Sequence, residues 1–322
     1  MEYIHEIQIV CSTDHNYVMP AGVMMHSASA NNKYYSINFN VVIDDSVTQQ
    51  DKQELQSVLT TDKHRMTFCL VDNKKILNFP HLADEGVHVT AATYYRLFLG
   101  DLLPNISKVL YLDCDMIVKG DLMQLYNTDM SDCPIAAVTD IEEGVKDYRR
   151  LGYPQAHGYF NAGMELINLD YWRANHCKEA FMHVIGQQSD RIVAHDQDVM
   201  NIVFHDNKKE LPLVYNFQSN FLLKPEFLQL SYKKYKDEIE FAKYHAVIIH
   251  YVQQKPWNRN CLQADKMYFI KYRQDTLWRE KCYNFKNICY RIRKMMGKLY
   301  RLITFNGKDV VEEPFLDRYY HL

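Results

Sequence analysis

No Cys-x-x-Cys pair occurs in this sequence, although eight cysteines do: Cys11, Cys69, Cys114, Cys133, Cys177, Cys261, Cys282 and Cys289. They are scattered, and several sit inside apolar runs, so buried reduced thiols of a cytosolic protein are expected rather than a disulfide framework. No run of about 18 apolar residues is present, so no transmembrane helix is expected. The first residues, MEYIHEIQIVCSTD, lack the basic start, apolar stretch and small-residue cleavage site of a signal peptide, and none is expected. A dominant charge is missing too: 37 Lys and Arg against 40 Asp and Glu leave −3 at pH 7, which argues against a general nucleic-acid binder. Glycine and proline are sparse, 11 and 9 in 322 residues, and nowhere gather into a linker between two halves. There is no internal repeat and no low-complexity tract. These absences leave a globular chain, read as one domain through about residue 275.

What is present alternates. IQIVCST, SINFNVVID, RMTFCLV and KVLYLD read as four strands buried on both faces. Between them VMPAGVMMHSASA, TQQDKQELQSVLT and TAATYYRLFLGDLL read as helices, the last capped by Thr90. Strands alternating with helices predict parallel βαβ units, whose ligands bind beyond the carboxyl ends of the strands. Asp14 and Asp113 both lie at such ends. Further on, PIAAVTD, GMELINL and AVIIHYV read as strands, and DYWRANHCKEAFMHVIGQ and DQDVMNIVFHD as helices.

The apolar run Val109 to Leu112 stops at Asp113, and Asp115 follows one residue later. A carboxylate after a buried strand is costly unless its charge is balanced. Residues i and i+2 of an extended chain face the same way, so Asp113 and Asp115 can converge on a hard cation such as Mg²⁺, Mn²⁺ or Ca²⁺. The same pair also fits a solvated turn. It further resembles the opening of haloacid-dehalogenase-type phosphatases. In those the site lies at the first strand and a later acidic pair holds Mg²⁺; here three strands precede it and VTDIEEG matches poorly.

The segments IVCSTDHNYVMPAGVMMHS, ATYYRLFLGDLLP, YFNAGMELINLDYWR, HDQDVMN and IIHYVQQKPW follow one another in the order seen in glycosyltransferase family 8. The chain resembles that family over most of residues 7–258. The resemblance implies an α/β GT-A fold, with a Rossmann-like, mostly parallel central sheet flanked by helices. It also implies Mn²⁺-dependent transfer of a hexose from a UDP-sugar with retention at the anomeric carbon. Asp113, Asp115 and His250 match the metal ligands; the imidazole suits Mn²⁺ better than Mg²⁺, the alternative. Asp14, Asn16 and Tyr17 match the uracil site. Arg96 matches an arginine reaching donor sugar and phosphate, a task suited to guanidinium. Asn161 and Ala162 match positions near the donor hexose, where Gly163 permits close approach. Lys255 matches a lysine on the diphosphate, although the lipopolysaccharide enzymes usually carry a glycine and one more residue between His and Lys. Asp196 is expected to bind sugar hydroxyls and Gln197 to lie nearest the anomeric carbon. An amide is a poor nucleophile, so same-face substitution through an oxocarbenium-like state is expected, not the covalent route of retaining glycosidases. Taken singly, these residues have ordinary readings: a core histidine at 250, a βα turn at 14–17, a solvated helix face at Arg96, and a helix N-terminus at 196–198.

Residues 279–301 read REKCYNFKNICYRIRKMMGKLYR, with eight Lys or Arg against one acid, Glu280. Interleaved with aromatics, such a stretch predicts binding to an anionic membrane surface; a helix packed on the domain with a solvated basic face is the other reading. The expected division is therefore a transferase domain, 1–275, and a basic, aromatic extension, 276–322. The expected donor is UDP-glucose or UDP-galactose. The expected acceptor is lipopolysaccharide core or another glycolipid or oligosaccharide, met in the cytoplasm at the inner face of the cell membrane. Glycogenin-like glucosylation of a protein or glucan primer, and a catalytically inactive sugar-nucleotide-binding protein, are the alternatives.

Overall fold

The computed structural model describes residues 6–72, 79, 91–142, 146–222, 225–252, 254–258, 261, 263 and 265–279. Thr90, most of residues 279–301 and the acidic, aromatic C-terminus fall outside them. The chain divides into two compact units, Met1–Val252 and Gln253–Leu322.

Among the described residues the first unit holds ten strands: β1 (Glu6–Thr13), β2 (Ser36–Ile43), β3 (Arg65–Leu70), β4 (Lys108–Leu112), β5 (Met116–Val118), β6 (Ile135–Thr139), β7 (Phe160–Asn168), β8 (Lys209–Glu210), β9 (Phe217–Gln218) and β10 (Ile248–His250). Its α-helices are α1 (Val18–Asn31), α2 (Gln49–Gln56), α3 (Leu99–Leu102), α4 (Met123–Tyr126), α5 (Tyr148–Leu151), α6 (Leu169–Ala174), α7 (Cys177–Gln187), α8 (His195–Phe204) and α9 (Pro225–His245). Seven strands form a sheet in the order β3-β2-β1-β4-β7-β6-β8, and β5, β10 and β9 form a second, three-stranded one.

In the larger sheet β3, β2, β1 and β4 run parallel, and β6 and β8 pair in parallel. The expected mostly parallel sheet is therefore present, with one exception. β7 runs antiparallel to both β4 and β6. That reversal matters for the site. It brings the start of β7, the Phe-Asn-Ala-Gly segment, beside the carboxyl end of β4, where Leu112 pairs with Met164. β1 and β4 are apolar runs because both faces are covered: Ile7, Ile9, Val10, Val109 and Leu110 are all buried. β3 departs from that expectation. It is an edge strand, and Arg65, Thr67 and Leu70 are exposed.

Two expected helices differ in form. Residues Ala91–Phe98 wind as a 3-10 helix before the single α-turn of α3. Tyr94, Tyr95, Arg96 and Leu97 are all buried in succession. The segment read as one helix from Asp170 to Gln187 breaks into α6 and α7 at His176, whose φ of 53° is left-handed. The six described cysteines are free, as expected; Cys11 Sγ and Cys114 Sγ lie 3.5 Å apart.

The second unit contains α10 (Lys266–Gln274), with the Trp257 and Phe269 rings 5.5 Å apart and Arg273 Nε donating to the Trp278 carbonyl at 2.8 Å. Among the described residues no helix is long and apolar enough to cross a membrane.

Candidate active site

Strand ends build the site. Asp113 and Asp115 flank the turn between β4 and β5. β10 pairs antiparallel with β5, placing His250 opposite Met116, and the Tyr251 N–H donates to the Asp115 carbonyl at 2.9 Å. This register, not chance, brings His250 to the Asp-x-Asp turn. One ligand atom from each of Asp113, Asp115 and His250 lies within 4.8 Å of the others. His250 Nε2 is 3.4 Å from Asp115 Oδ1, with both side chains nearly buried. Two carboxylate oxygens and one imidazole nitrogen form a donor set that fits Mn²⁺. Gly163 leaves room for this ligand set. A Cβ there would stand 2.8 Å from His250 Nδ1 and closer still to Cε1. The glycine thus admits the imidazole ring, and its carbonyl also accepts the Asp113 N–H at 2.8 Å.

Arg96 is not on a solvated helix face; it is 4% exposed. Its guanidinium lies over the Tyr111 ring at 4.0 Å, a cation–π contact. It donates to Asp113 Oδ1 at 2.7 Å and to the Ala162 carbonyl, and its Nε lies 2.7 Å from Asp196 Oδ2. Glu165, fully buried on β7, is 3.7 Å away. Several carboxyls thus share one cation. Burial pushes Asp196 up to about 7, with Arg96 opposing and Asp113 adding to the rise. Burial raises Glu165 well above the usual carboxylate range, again against Arg96. Asp113 is raised by burial too, despite Arg96, and Asp115 beside it adds to the rise. These directions follow from removing water around the charged form.

A second polar cluster adjoins Ala162. Gln197, in the first turn of α8, accepts the Ala162 N–H at 2.9 Å and donates Nε2 to Asp140 Oδ2 at 3.1 Å. Asn161 Nδ2 donates to the same carboxylate oxygen at 3.2 Å. Asp14, at the end of β1, accepts the N–H groups of Asn16 and Tyr17 through Oδ1 at 2.9 and 3.2 Å. It caps the turn in which Asn16 is exposed and Tyr17 half-buried. Lys255 lies in the second unit, half-buried. The structure therefore joins Asp113, Asp115, His250, Arg96, Asn161, Ala162, Asp196 and Gln197 through direct contacts. Asp14, Asn16 and Tyr17 form a separate turn at the neighbouring strand end.

Sequence reasoning missed Asp140, Glu165 and Asn216. Asp140 carried a usable signal: like Asp14 and Asp113 it is an aspartate directly after an apolar strand. Glu165 sits inside an apolar strand with nothing beside it in sequence to explain it, and Asn216 looks like an ordinary loop residue.

The sequence profile described as glycosyl transferase family 8 matches residues 8–261. General stress protein A of Bacillus subtilis (strain 168) is 29% identical over 280 residues, 84% of this chain and 94% of that protein. The lipopolysaccharide 1,2-glucosyltransferase of Escherichia coli (strain K12) is 26% identical over 278 residues, 85% of this chain and 79% of that one. Among solved structures, galactosyltransferase LgtC in complex with donor and acceptor sugar analogs is 26% identical with a TM-score of 0.76, covering 85% of this chain and 98% of that one.

Proposed function

This chain belongs to glycosyltransferase family 8, and from that premise we propose that it moves glucose or galactose from a UDP-sugar to a glycolipid acceptor of the lipopolysaccharide type, with Mn²⁺ and with retention. It is a glycosyltransferase of GT-A fold; donor, acceptor, metal and stereochemistry are the proposal. One observation carries it: the Asp113, Asp115 and His250 cluster is tied through Arg96 to Asp196 and through Gly163 and Ala162 to Gln197. A glucosyltransferase and a galactosyltransferase, both named among its relatives, support the choice of hexose.

In this reading Asp113, Asp115 and His250 hold the metal. When bound, the divalent cation supplies charge to offset the departing UDP. Arg96 orients Asp113 from behind and keeps a positive charge near the donor phosphates. Asp14, Asn16 and Tyr17 hold the uracil, and Lys255 the diphosphate. Asn161, Ala162 and Asp196 face the hexose. Gln197 stands at the anomeric carbon, held by the Ala162 N–H and the Asp140 carboxylate; it positions and stabilises charge instead of attacking. Asp140, freed of those partners by an arriving sugar, is available to acceptor or donor hydroxyls. The acceptor is met in the cytoplasm, at the inner face of the membrane, through residues 279–301. A panel of UDP-sugars, with Mn²⁺ and no acceptor, tests the donor. Slow UDP release from UDP-glucose or UDP-galactose alone is expected. Release from neither would refute the donor class.

A further inference from the structure

We infer that the backbone N–H of Gly163 sets the tautomer of His250 through two buried amides, making Asn216 a positioning residue for the metal ligand. The consequence for metal binding rests on the reading above; the tautomer itself does not.

The relay starts at a group whose polarity is fixed. The Gly163 N–H donates to Asn161 Oδ1 at 3.0 Å. A peptide N–H can only donate, so the Asn161 atom facing it is the carbonyl oxygen. The Asn161 NH₂ then points the other way, to Asp140 Oδ2 at 3.2 Å, where a carboxylate accepts. Both ends of Asn161 agree. Its Oδ1 also faces Asn216 Nδ2 at 2.9 Å, so Asn216 presents its NH₂ there. The other end of Asn216, Oδ1, therefore faces His250 Nδ1 at 3.1 Å. An oxygen at that distance requires a proton on Nδ1. Nε2 is then the nitrogen turned toward the cluster, on the side of Asp115 Oδ1 at 3.4 Å. Inverting the Asn216 amide would set two carbonyl oxygens 2.9 Å apart, at a residue with no solvent exposure.

The ring is thus held with its Nδ1 proton turned away from the cluster and Nε2 turned toward it. Metal-ligating histidines are held in one tautomer by the partner of the other nitrogen, and loss of that partner weakens metal affinity about 10–100-fold. The second side of the ring packs against Gly163 itself, so one glycine orients the ring by shape and, at two amides' remove, by proton position.

The test is ¹⁵N NMR of histidine-labelled, metal-free protein at pH 8, with the His250 signals assigned by their loss in His250→Gln. The wild type should show Nδ1 protonated and Nε2 bare. Asn216→Ala, which removes the acceptor facing Nδ1, should move the signals toward the Nε2–H form. Calorimetric Mn²⁺ affinity without donor should fall about 10–100-fold in Asn216→Ala. A wild-type spectrum showing Nε2–H overturns the inference, and it needs no variant to fold. If Nδ1–H is found while the wild type binds no Mn²⁺, the metal reading falls and the relay stands. If Mn²⁺ binds and His250 carries Nε2–H, the relay falls and the metal reading stands.

Discussion

Gly163 shows most plainly how much one residue can determine. Its nitrogen donates to Asn161, its carbonyl accepts from Asp113, and its missing Cβ leaves the space that the His250 ring fills. Gly163→Ala should displace His250 and lower Mn²⁺ affinity about 10–100-fold, a magnitude typical of a misplaced ligand shell. A Mn²⁺ titration alongside a thermal melt checks this; unchanged affinity in a folded variant would contradict the packing argument. Gln197 makes the opposite kind of contribution. Its amide is held by Ala162 and Asp140 and offers no nucleophile, so Gln197→Ala should lower kcat by about 100-fold without abolishing it, as loss of one stabilising group does. Mass spectrometry that trapped a covalent glycosyl group on the wild-type protein would overturn this. At this scale the sequence revealed the residues with a spacing signature. Asp113 and Asp115 share a face of an extended chain, and Gln197 lies in a distinctive tetrapeptide. Arg96 was found but its surroundings were not. The partners that bury it, Asp196 on α8 and Glu165 and the Ala162 carbonyl on β7, come from two segments distant from it in sequence.

Among elements, the strand ends were legible and the strand directions were not. β1 and β4 announced themselves by apolar runs ending in aspartate. The reversal of β7 left no trace, because a strand covered on both faces reads alike in either direction. That reversal is what carries Asn161, Ala162 and Gly163 to the end of β4. α9 was overlooked despite Tyr235, Ile239 and Ala242, which are buried at helical spacing; dense lysines and glutamates between them masked the stripe. The start of α8 supplies a stability prediction. Asp198, fully buried, accepts the N–H groups of Val193 and Ala194 at 2.7 Å each, the Tyr159 hydroxyl at 2.7 Å and Arg150 at 2.8 Å. Burial alone would raise this carboxyl, but Arg150 and the two N–H groups hold it below its ordinary value. A depressed folded-state pKa contributes stability above the unfolded value, and that contribution is lost as pH falls through the folded one. Asp198→Asn should therefore cost about 3 kcal/mol at pH 7, as breaking a buried pair does. The gap to wild type should narrow below about pH 4, where the unfolded carboxyl protonates. Denaturant melts across pH 3–7 would show it; a gap independent of pH would rule out the ionised role.

For the molecule as a whole, the family profile ends at residue 261, and the basic stretch 279–301 lies beyond it. Deleting residues from about 276 onward should leave donor hydrolysis nearly unchanged. Binding to vesicles containing anionic lipid should fall strongly, and binding by the intact chain should weaken with salt, since polybasic attraction is screened over a Debye length of about 8–10 Å. Aggregation or loss of hydrolysis in the shortened chain would make the tail a packed structural element instead. The claim on which everything else depends is that Asp113, Asp115 and His250 hold the metal that holds the nucleotide. Calorimetric titration of UDP into wild type and Asp115→Ala, with and without Mn²⁺, measures it directly. Wild type should bind UDP only with Mn²⁺, and the variant, equally folded by circular dichroism, should not bind; Mn²⁺-dependent UDP binding that survives in Asp115→Ala would contradict the account.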